Sequence, residues 1–369
     1  MSRPIICVVI GTRPEAIKLA PVISRLQRDD RFECCVLLTG QHREMVDQVM
    51  RQFGLRADRD LDIMQPGQSL AEITSRSLLG LEAALAEIRP ALVVVQGDTT
   101  TAFAASLAAF YLNIEVAHVE AGLRTDNPRD PFPEEVNRRL ISQLAALHFA
   151  PTAAAARNLE HSGAFGRVLM TGNTVVDALL EMAAREPACD IPELDWNRHR
   201  VVLTTIHRRE SWGARIEQIA RAMLELLERH ADLAFLLPLH RNPRVREPLK
   251  AALDHHPRVF LVEPLDYAAL VGAIQRCYML MTDSGGLQEE APSLGKPVLV
   301  LRNTTERPEA VEAGTARLIG TESKGIVTAV SALLEDPAQY QAMAQRSNPF
   351  GDGHASERII DEIARYLGV

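Results

Sequence analysis

Short apolar runs alternate with helical stretches twice along the 369 residues of the chain, and this pattern limits the folds that the chain can adopt. The first run, Ile5–Ile10, is continuous and rich in β-branched side chains, as strands buried on both faces of a parallel sheet are. The alternation is interrupted at residues 183–200, which we interpret as a hinge region. Strands alternating with helices predict an α/β chain of two Rossmann-like doubly wound domains. We expect domains at 1–172 and 173–354, with the C-terminal helix, about 355–369, packing back on the first.

Polar side chains follow the predicted strands where each strand ends, at the edge of an open α/β sheet that binds ligands. Cations and helix starts at this edge suit a diphosphate, whereas acids suit sugar hydroxyls and proton transfer. Two such domains facing each other predict a charged cleft between them. The side chains concerned are Arg13, Lys18, Asp98, Glu120, His207, Arg208, Ser284, Glu290 and Arg307.

One segment, residues 282–290 (TDSGGLQEE), combines a strand end, a glycine turn and a helix start. We expect the helix to begin at Leu287. The unpaired N–H groups of a helix start attract anions, and the two glycines allow a phosphate to approach the backbone closely. Glu290 could then accept two hydroxyls of a ribose. The alternative is a tight turn with Ser284 as the N-cap.

Arg13 and Lys18 lie near the start of a predicted helix, where the helix dipole disfavours cations. An anionic ligand explains them more easily than a salt bridge to Glu15 or to a distant carboxylate. Asp98 and Glu120 each follow a later strand. Asp98 has the alternative role of N-cap for the helix after it.

Charge and cysteine usage exclude several classes of protein. The net charge is −8 and there is no basic block, which argues against nucleic-acid and membrane-surface binding. No apolar stretch reaches membrane-spanning length. The five cysteines form no CxxC pair, and an odd number of them suits reduced thiols in a cytoplasmic protein.

Motifs for common cofactors and metals are missing from the sequence. It has no GxGxxG, GxxxxGK[ST] or GxSxG, which argues against NAD binding, ATP hydrolysis and a serine hydrolase of the elbow type. It also has no HExxH or HxxxH. We interpret the acidic run Asp58, Asp60 and Asp62, and the pair His255 and His256, as solvated. We therefore predict no cofactor and no required metal.

Eight ordered stretches, which run across nearly the whole chain, are together far more specific than any single motif. The chain closely resembles the non-hydrolysing UDP-N-acetylglucosamine 2-epimerases of bacteria. The stretches are GTRPEAIK (11–18), TGQHREM (39–45), QGDTTT (96–101), HVEAGLRT (118–125), PEEVNR (133–138), HRRES (207–211), TDSGGLQEEAPSLGKPVLVLR (282–302) and TTERPEA (304–310).

The resemblance implies a GT-B-like fold with the active site in the cleft. It implies reversible conversion of UDP-GlcNAc to UDP-ManNAc, in which UDP is eliminated to give 2-acetamidoglucal and is added back after reprotonation at C2. Asp98, Glu120 and Glu134 match the family's catalytic carboxylates, and His207 matches its catalytic and phosphate-binding histidine. Which carboxylate removes the proton and which returns it is left open. The resemblance also implies a cytoplasmic homodimer that serves cell-surface polysaccharide biosynthesis.

The family's binding residues carry over in part. Leu265 and Leu270 replace a Gln and a Phe expected near the uracil, which leaves a main-chain contact at Leu270 and puts base selectivity in question. Glu44 and Gly67 replace residues expected in an allosteric pocket for a second UDP-GlcNAc, so activation there stays open. The matched positions for substrate and UDP are Arg13, Lys18, Asp98, Glu120, His207, Leu270, Ser284, Gly285, Gly286, Glu290 and Arg307; those for the second pocket are Gln41, Glu135, Arg208 and His240.

Four other functions compete with this one. The chain could epimerise a modified UDP-HexNAc, or it could be a UDP-sugar glycosyltransferase of the same fold, which would need an acceptor site. A hydrolysing epimerase would release free ManNAc, and such enzymes often carry a kinase domain. A silent UDP-sugar sensor would not need Asp98, Glu120 and Glu134 together. Glu134 has a structural alternative as well, since Glu134 and Glu135 in a first helical turn also compensate the helix dipole.

Overall fold

Two parallel sheets with alternating helices form the protein, as a computed structural model of the chain shows. The structure describes residues 3–41, 43–65, 67–125 and 127–369; His42, in the second of the eight stretches, lies outside these residues. The predicted α/β class with two doubly wound domains is confirmed.

The secondary structure alternates almost without exception along the chain. The described strands are β1 (Ile5–Ile10), β2 (Glu33–Leu38), β3 (Arg59–Asp60), β4 (Leu92–Gln96), β5 (Glu115–Val119), β6 (Leu147–Ala150), β7 (Arg167–Met170), β8 (Arg200–Thr205), β9 (Leu233–Pro238), β10 (Val259–Val262), β11 (Met279–Thr282), β12 (Val298–Val300) and β13 (Ala316–Leu318). The described α-helices are α1 (Arg13–Arg28), α2 (Arg43–Phe53), α3 (Leu70–Ile88), α4 (Thr100–Tyr111), α5 (Glu134–Ile141), α6 (Ala153–His161), α7 (Thr174–Ala183), α8 (Ala214–Arg229), α9 (Pro243–Leu253), α10 (Tyr267–Arg276), α11 (Gly285–Glu290), α12 (Pro308–Glu312), α13 (Ser323–Glu335), α14 (Pro337–Ala344) and α15 (Ala355–Leu367).

The chain divides into two compact units. The first unit contains residues 1–178 and 351–369, and its sheet has the order β3-β2-β1-β4-β5-β6-β7. The second unit contains residues 179–350, and its sheet has the order β10-β9-β8-β11-β12-β13. Each order reverses direction once, between β1 and β4 in the first unit and between β8 and β11 in the second. Such a reversal creates a crevice at the carboxyl ends of the two strands, because the loops that follow these strands run in opposite directions.

Strand burial agrees with the sequence pattern. Ile6, Cys7 and Val8 of β1 are completely buried, as are Val93 and Val94 of the neighbouring β4. A strand covered by helices on both faces needs apolar side chains at consecutive positions, not only at alternate ones. The continuous apolar runs in the sequence are therefore the mark of the central strands.

Several elements differ from the sequence-based prediction. Strands β3 and β13 were not predicted, because a two-residue polar edge strand and a three-residue strand are too short to show a period. Helix α9 was not predicted either, since Pro248 lies within it. Helix α11 begins at Gly285 and not at Leu287, which moves its first turn onto the two glycines. The boundary between units falls within α7, before the predicted hinge at 183–200.

Helix α15 belongs to the first unit and is held there by its first turn. The Asp177 carboxylate of α7 accepts the backbone N–H groups of Ala355 and Ser356, at 3.2 and 2.7 Å, and the Ser356 hydroxyl at 2.6 Å. Arg25 of α1 donates to that hydroxyl at 2.9 Å. The N–H groups that a helix start leaves unpaired are thus satisfied by a carboxylate more than 170 residues away.

The described residues form neither a membrane-spanning helix nor a cluster of metal ligands. None of the helices there is long and apolar enough to cross a bilayer. No group of three or more His, Cys, Asp or Glu side chains there is arranged to hold a metal ion. In the acidic run, Asp60 and Asp62 pair with Arg43 at the surface, and Asp58 accepts the backbone N–H of Val36 at 2.7 Å.

Candidate active site

The loops after β1 and β4 lie on either side of the reversal in the first sheet. They approach each other so closely that a Cβ on Gly11 would lie 2.4 Å from the Thr101 hydroxyl oxygen. Only glycine allows this approach. The start of α1, which carries Arg13, is thereby packed against the start of α4, which follows Asp98.

Glu15 links these two loops. One of its oxygens accepts the backbone N–H groups of Gly11 and Thr12, at 3.0 and 2.6 Å, and the other accepts the Thr99 hydroxyl at 2.6 Å. Burial raises its pKa, and these hydrogen bonds oppose the rise without cancelling it. Glu15 is therefore engaged with the loops and not with Arg13. Lys18, in contrast, pairs with the distant carboxylate of Glu120 at 2.6 Å, as the salt-bridge alternative held. Within the described residues, Arg13 forms no ion pair.

Glu120 is the most constrained acid of the site. Its φ of 62° is left-handed, a conformation that costs a residue with a side chain about 1–3 kcal/mol. Lys18 donates to both carboxylate oxygens, at 2.7 and 2.6 Å. The side-chain amides of Gln96 and Asn173 also donate to it. Three strand exits and α1 thus converge on one buried carboxylate.

Asp98 has a different environment. Arg138 of α5 donates to its carboxylate at 2.5 Å, and the Asn137 amide donates to its backbone carbonyl at 2.9 Å. Burial raises the pKa of Asp98; the Arg138 charge opposes this and the Glu120 charge adds to it. The alternative role as N-cap is wrong, since Thr99 occupies that position and accepts the Ala102 N–H at 3.0 Å.

Helix α5 carries the third candidate acid beside a structural one. Glu134 is partly buried, and its Oε2 atom is buried with no hydrogen-bond partner among the described residues. Glu135 is completely buried and accepts from Arg138, from Arg139 and from the backbone N–H of Thr125. Glu134 is therefore available to a ligand, whereas the hydrogen-bonding capacity of Glu135 is used within the fold.

The corresponding reversal in the second unit brings His207 and Asp283 together. Thr205 ends β8 opposite Thr282, which ends β11, and their hydroxyls lie 2.5 Å apart. The next residues place the His207 ring Nδ1 2.8 Å from a carboxylate oxygen of Asp283. Asp283 is completely buried, whereas 40% of the His207 side chain is exposed.

Asp283 was missed in the sequence analysis, although it lies in the segment at 282–290. Burial acts to raise its pKa, but the hydrogen bonds and charge of His207, with the Arg208 N–H, outweigh burial and lower it. The available signal was its position directly after a buried strand, one residue before Ser284. Gln96 and Arg138 were also missed, although both lie within recognised stretches; Asn173 was missed too, and it lies outside all eight.

The remaining residues of the 282–290 segment lie at the start of α11. Ser284 occupies the N-cap position, but its side chain makes no capping hydrogen bond. Glu290 is largely buried, and its carboxylate lies 4.0 Å from where a Cβ on Gly286 would be. Arg307 forms an ion pair with Glu289. Leu270 lies within α10, where its N–H donates to the Asp266 carbonyl at 2.9 Å.

Of the four residues assigned to a second pocket, two lie in each unit. In the first unit, the Gln41 side chain accepts from Thr101 at 3.0 Å, and Glu135 is buried as described. In the second unit, the His240 ring lies 6.3 Å from the His207 ring. Arg208 donates to both oxygens of Glu306, at 2.7 and 3.2 Å. The structure thus brings His240 close to His207 and occupies Arg208 with a carboxylate.

The pairing of Arg208 is part of a wider ionic cluster. Arg302 bonds Glu306 at 2.8 Å and also pairs with Glu210. Burial opposes the ionisation of Glu306, but the two arginines outweigh it and hold the pKa of Glu306 at about 2. The cluster ties the loop after β8 to the loop after β12.

Comparisons with known proteins agree on one family. A model of the family described as UDP-N-acetylglucosamine 2-epimerase matches residues 24–364. The UDP-N-acetylglucosamine 2-epimerase of Escherichia coli K12 is 50% identical over 365 residues, which cover 96% of this chain and 97% of that protein. The UDP-GlcNAc 2-epimerase of Neisseria meningitidis, solved bound to UDP-GlcNAc, is 47% identical with a TM-score of 0.87 and covers 98% and 100% of the two chains. The Methanocaldococcus jannaschii UDP-GlcNAc 2-epimerase, in complex with UDP-GlcNAc and UDP, is 32% identical with a TM-score of 0.79, covering 98% and 99%.

Proposed function

The chain belongs to the UDP-N-acetylglucosamine 2-epimerase family, as its eight stretches predicted, and we propose that it interconverts UDP-GlcNAc and UDP-ManNAc by eliminating UDP and adding it back. The reaction inverts C2 of the sugar. The C2–H bond breaks, the bond between C1 and the diphosphate oxygen breaks, and a C1–C2 double bond forms. A proton then returns to the opposite face of C2 and UDP adds back to C1, which gives the epimer.

The carboxylates of the first unit carry this proposal. The raised pKa of Asp98 suits a group that takes up and releases a proton near neutral pH. Glu134 offers an oxygen with no partner among the described residues. Glu120, paired with Lys18, suits a fixed negative charge that stabilises positive charge developing at C1. We therefore assign the exchange of the C2 proton to Asp98 and Glu134, and the electrostatic role to Glu120.

The second unit supplies groups for the departing UDP. Nδ1 of His207 donates to Asp283, so the ring can donate a hydrogen bond from Nε2 to the diphosphate once Nε2 is protonated. Stabilisation of charge that develops on a leaving group is commonly the largest catalytic contribution. We assign His207, Ser284, Gly285, Gly286, Glu290 and Arg307 to binding of UDP, with Arg13 and Lys18 as further cations for the diphosphate.

Proton NMR with UDP-GlcNAc in D₂O tests the proposal directly. Appearance of UDP-ManNAc with deuterium at C2 of the nucleotide sugar is the expected result. Heat-denatured protein is the control. No exchange with UDP-GlcNAc, but exchange with a UDP-HexNAc modified elsewhere on the ring, would transfer the proposal to that substrate. A new glycoside without any free epimer would instead identify a transferase.

We also propose that the protein is a cytoplasmic homodimer. The thiols of Cys7, Cys189 and Cys277 are buried and free, which suits a reducing compartment. Phe110 and Tyr111, at the end of α4, expose more than half of their surface and offer an apolar patch for a second copy. Light scattering should give twice the mass of the chain, and cell fractionation should recover the protein with cytoplasmic markers. The mass of a monomer would contradict the homodimer. Recovery outside the cytoplasmic fraction would contradict the location.

A further inference from the structure

Asp283 is not among the residues to which any role has been assigned, yet it makes the most direct contact with His207. The distance from the ring Nδ1 to a carboxylate oxygen is 2.8 Å. The same carboxylate accepts the backbone N–H of His207 at 3.0 and 3.1 Å, that of Arg208 at 2.9 Å, and the Ser211 hydroxyl at 2.9 Å. This buried carboxylate is therefore surrounded by donors.

The Asp283 carboxylate, surrounded by these donors, determines which nitrogen of the His207 ring carries the proton. An ionised carboxylate can only accept hydrogen bonds, so Nδ1 must donate. The lowered pKa of Asp283 agrees with a carboxylate that stays ionised at neutral pH. The neutral ring then has its lone pair on Nε2, and protonation there gives an imidazolium stabilised by the adjacent negative charge.

No other described carboxylate can replace this charge at the ring. Glu306 is held by Arg208 and Arg302, and Glu210 pairs with Arg302. The other titratable ring nearby is His240, at 6.3 Å between centroids. Asp283 is therefore the described carboxylate that lies against the His207 ring.

We propose that Asp283 is a positioning residue, which orients the His207 ring with Nδ1–H toward the protein interior and so leaves Nε2, once protonated, to donate to the departing diphosphate. The inference depends on the proposed function only for the identity of the diphosphate. The contact between Asp283 and His207 stands without that function. The same arrangement explains why Asp283 can act while completely buried: it acts through the ring.

The test compares Asp283→Asn with Ser211→Ala. The asparagine is nearly isosteric but uncharged; the alanine removes another hydrogen bond to the same carboxylate and leaves the ring contact intact. We expect Asp283→Asn to lower kcat about 100-fold near pH 7 and to change KM far less. Ser211→Ala should keep kcat near the wild-type value, because the contact between the ring and Asp283 is unchanged.

A second readout does not depend on turnover. Nitrogen-15 NMR gives the tautomer of the His207 ring, whose signals are assigned by their loss in His207→Gln. We expect the Nδ1–H tautomer in the wild type and a loss of that preference in Asp283→Asn, whose amide can also donate to Nδ1. An Nε2–H tautomer in the wild type would overturn the proposal even if Asp283→Asn failed to fold. An unchanged tautomer and an unchanged kcat in a folded Asp283→Asn would overturn it too.

The two readouts separate this inference from the proposed function. Wild-type protein that shows the Nδ1–H tautomer but does not epimerise UDP-GlcNAc would refute the function and retain the coupling of Asp283 to the ring. Wild-type protein that epimerises, with a ring indifferent to Asp283→Asn, would refute only the positioning role.

Discussion

Single residues show how one fold gives similar carboxylates opposite properties. Asp98 and Asp283 both follow a central strand, and both are largely removed from water. Burial dominates at Asp98 and raises its pKa, whereas hydrogen bonds from His207 and backbone N–H groups outweigh burial at Asp283 and lower its pKa. The first environment suits proton transfer, and the second suits a permanent charge.

The role of Asp98 is tested by Asp98→Asn. The amide cannot take up a proton, so turnover should fall by at least about 100-fold, while UDP should still bind. Proton NMR in D₂O measures the turnover, and calorimetry measures UDP binding. Asp254→Asn, at an exposed carboxylate, is the matched control and should behave as the wild type. Turnover near the wild-type value in Asp98→Asn would remove Asp98 from the proton transfer.

Elements are joined by polar side chains that cap helix starts. Glu15 at the start of α1 and Asp177 beneath the start of α15 each accept backbone N–H groups that the helix itself leaves unpaired. Both carboxylates also accept a hydroxyl, from Thr99 and Ser356 respectively. Each therefore joins two elements as well as capping one of them.

Replacing Glu15 by alanine should destabilise the protein by about 1–3 kcal/mol, because buried N–H groups lose their acceptor. The loss should depend on pH. The pKa of Glu15 is raised above 4.5, so the folded protein binds this proton more tightly than the unfolded chain does. Its contribution to stability is then fullest below that pH and declines as the pH rises through the raised pKa. Urea unfolding of both proteins between pH 4 and 8 measures this; a difference that grows with pH would contradict the sign.

Replacing Asp177 by alanine should also cost about 1–3 kcal/mol, through loss of the α15 contact. The matched control is Asp361→Asn, on the same helix. It removes an exposed carboxylate whose ion pair with Arg31 spans 3.5 Å, so it should change the free energy of unfolding very little. Urea unfolding again provides the measurement. Equal stability of the two variants would show that the first turn of α15 is not held by Asp177.

For the whole molecule, ligand binding and stability are linked. A ligand that binds only the folded protein stabilises it by about 2.7 kcal/mol at 100 times its Kd. We expect UDP to raise the unfolding temperature, and ADP at the same concentration to raise it much less. His207→Ala should weaken the effect of UDP. An equal effect of ADP would show that uracil is not recognised, which would bear on Leu265 and Leu270.

Much of this fold and part of the site could be predicted from local patterns. The apolar runs identified the central strands, and the residues directly after them included Asp98, Glu120 and His207. Short edge strands such as β3, and a helix with an internal proline such as α9, gave no usable period. Asp283 was missed because a single acid after a strand has several ordinary roles, and nothing beside it in the sequence indicated its partner.

The family, the α/β class and the strand ends on which the candidate residues lie can be read from neighbouring residues and from eight ordered motifs. Which side chains meet is evident only from the folded chain. Lys18 and Glu120 are 102 positions apart, and Asp283 pairs with a histidine 76 positions before it. Such contacts depend on the order and register of strands in a sheet, which bring distant loops to one edge. The raised pKa of Asp98 and the lowered pKa of Asp283 follow from those contacts and from burial. Neither shift is a property of the aspartate residue alone.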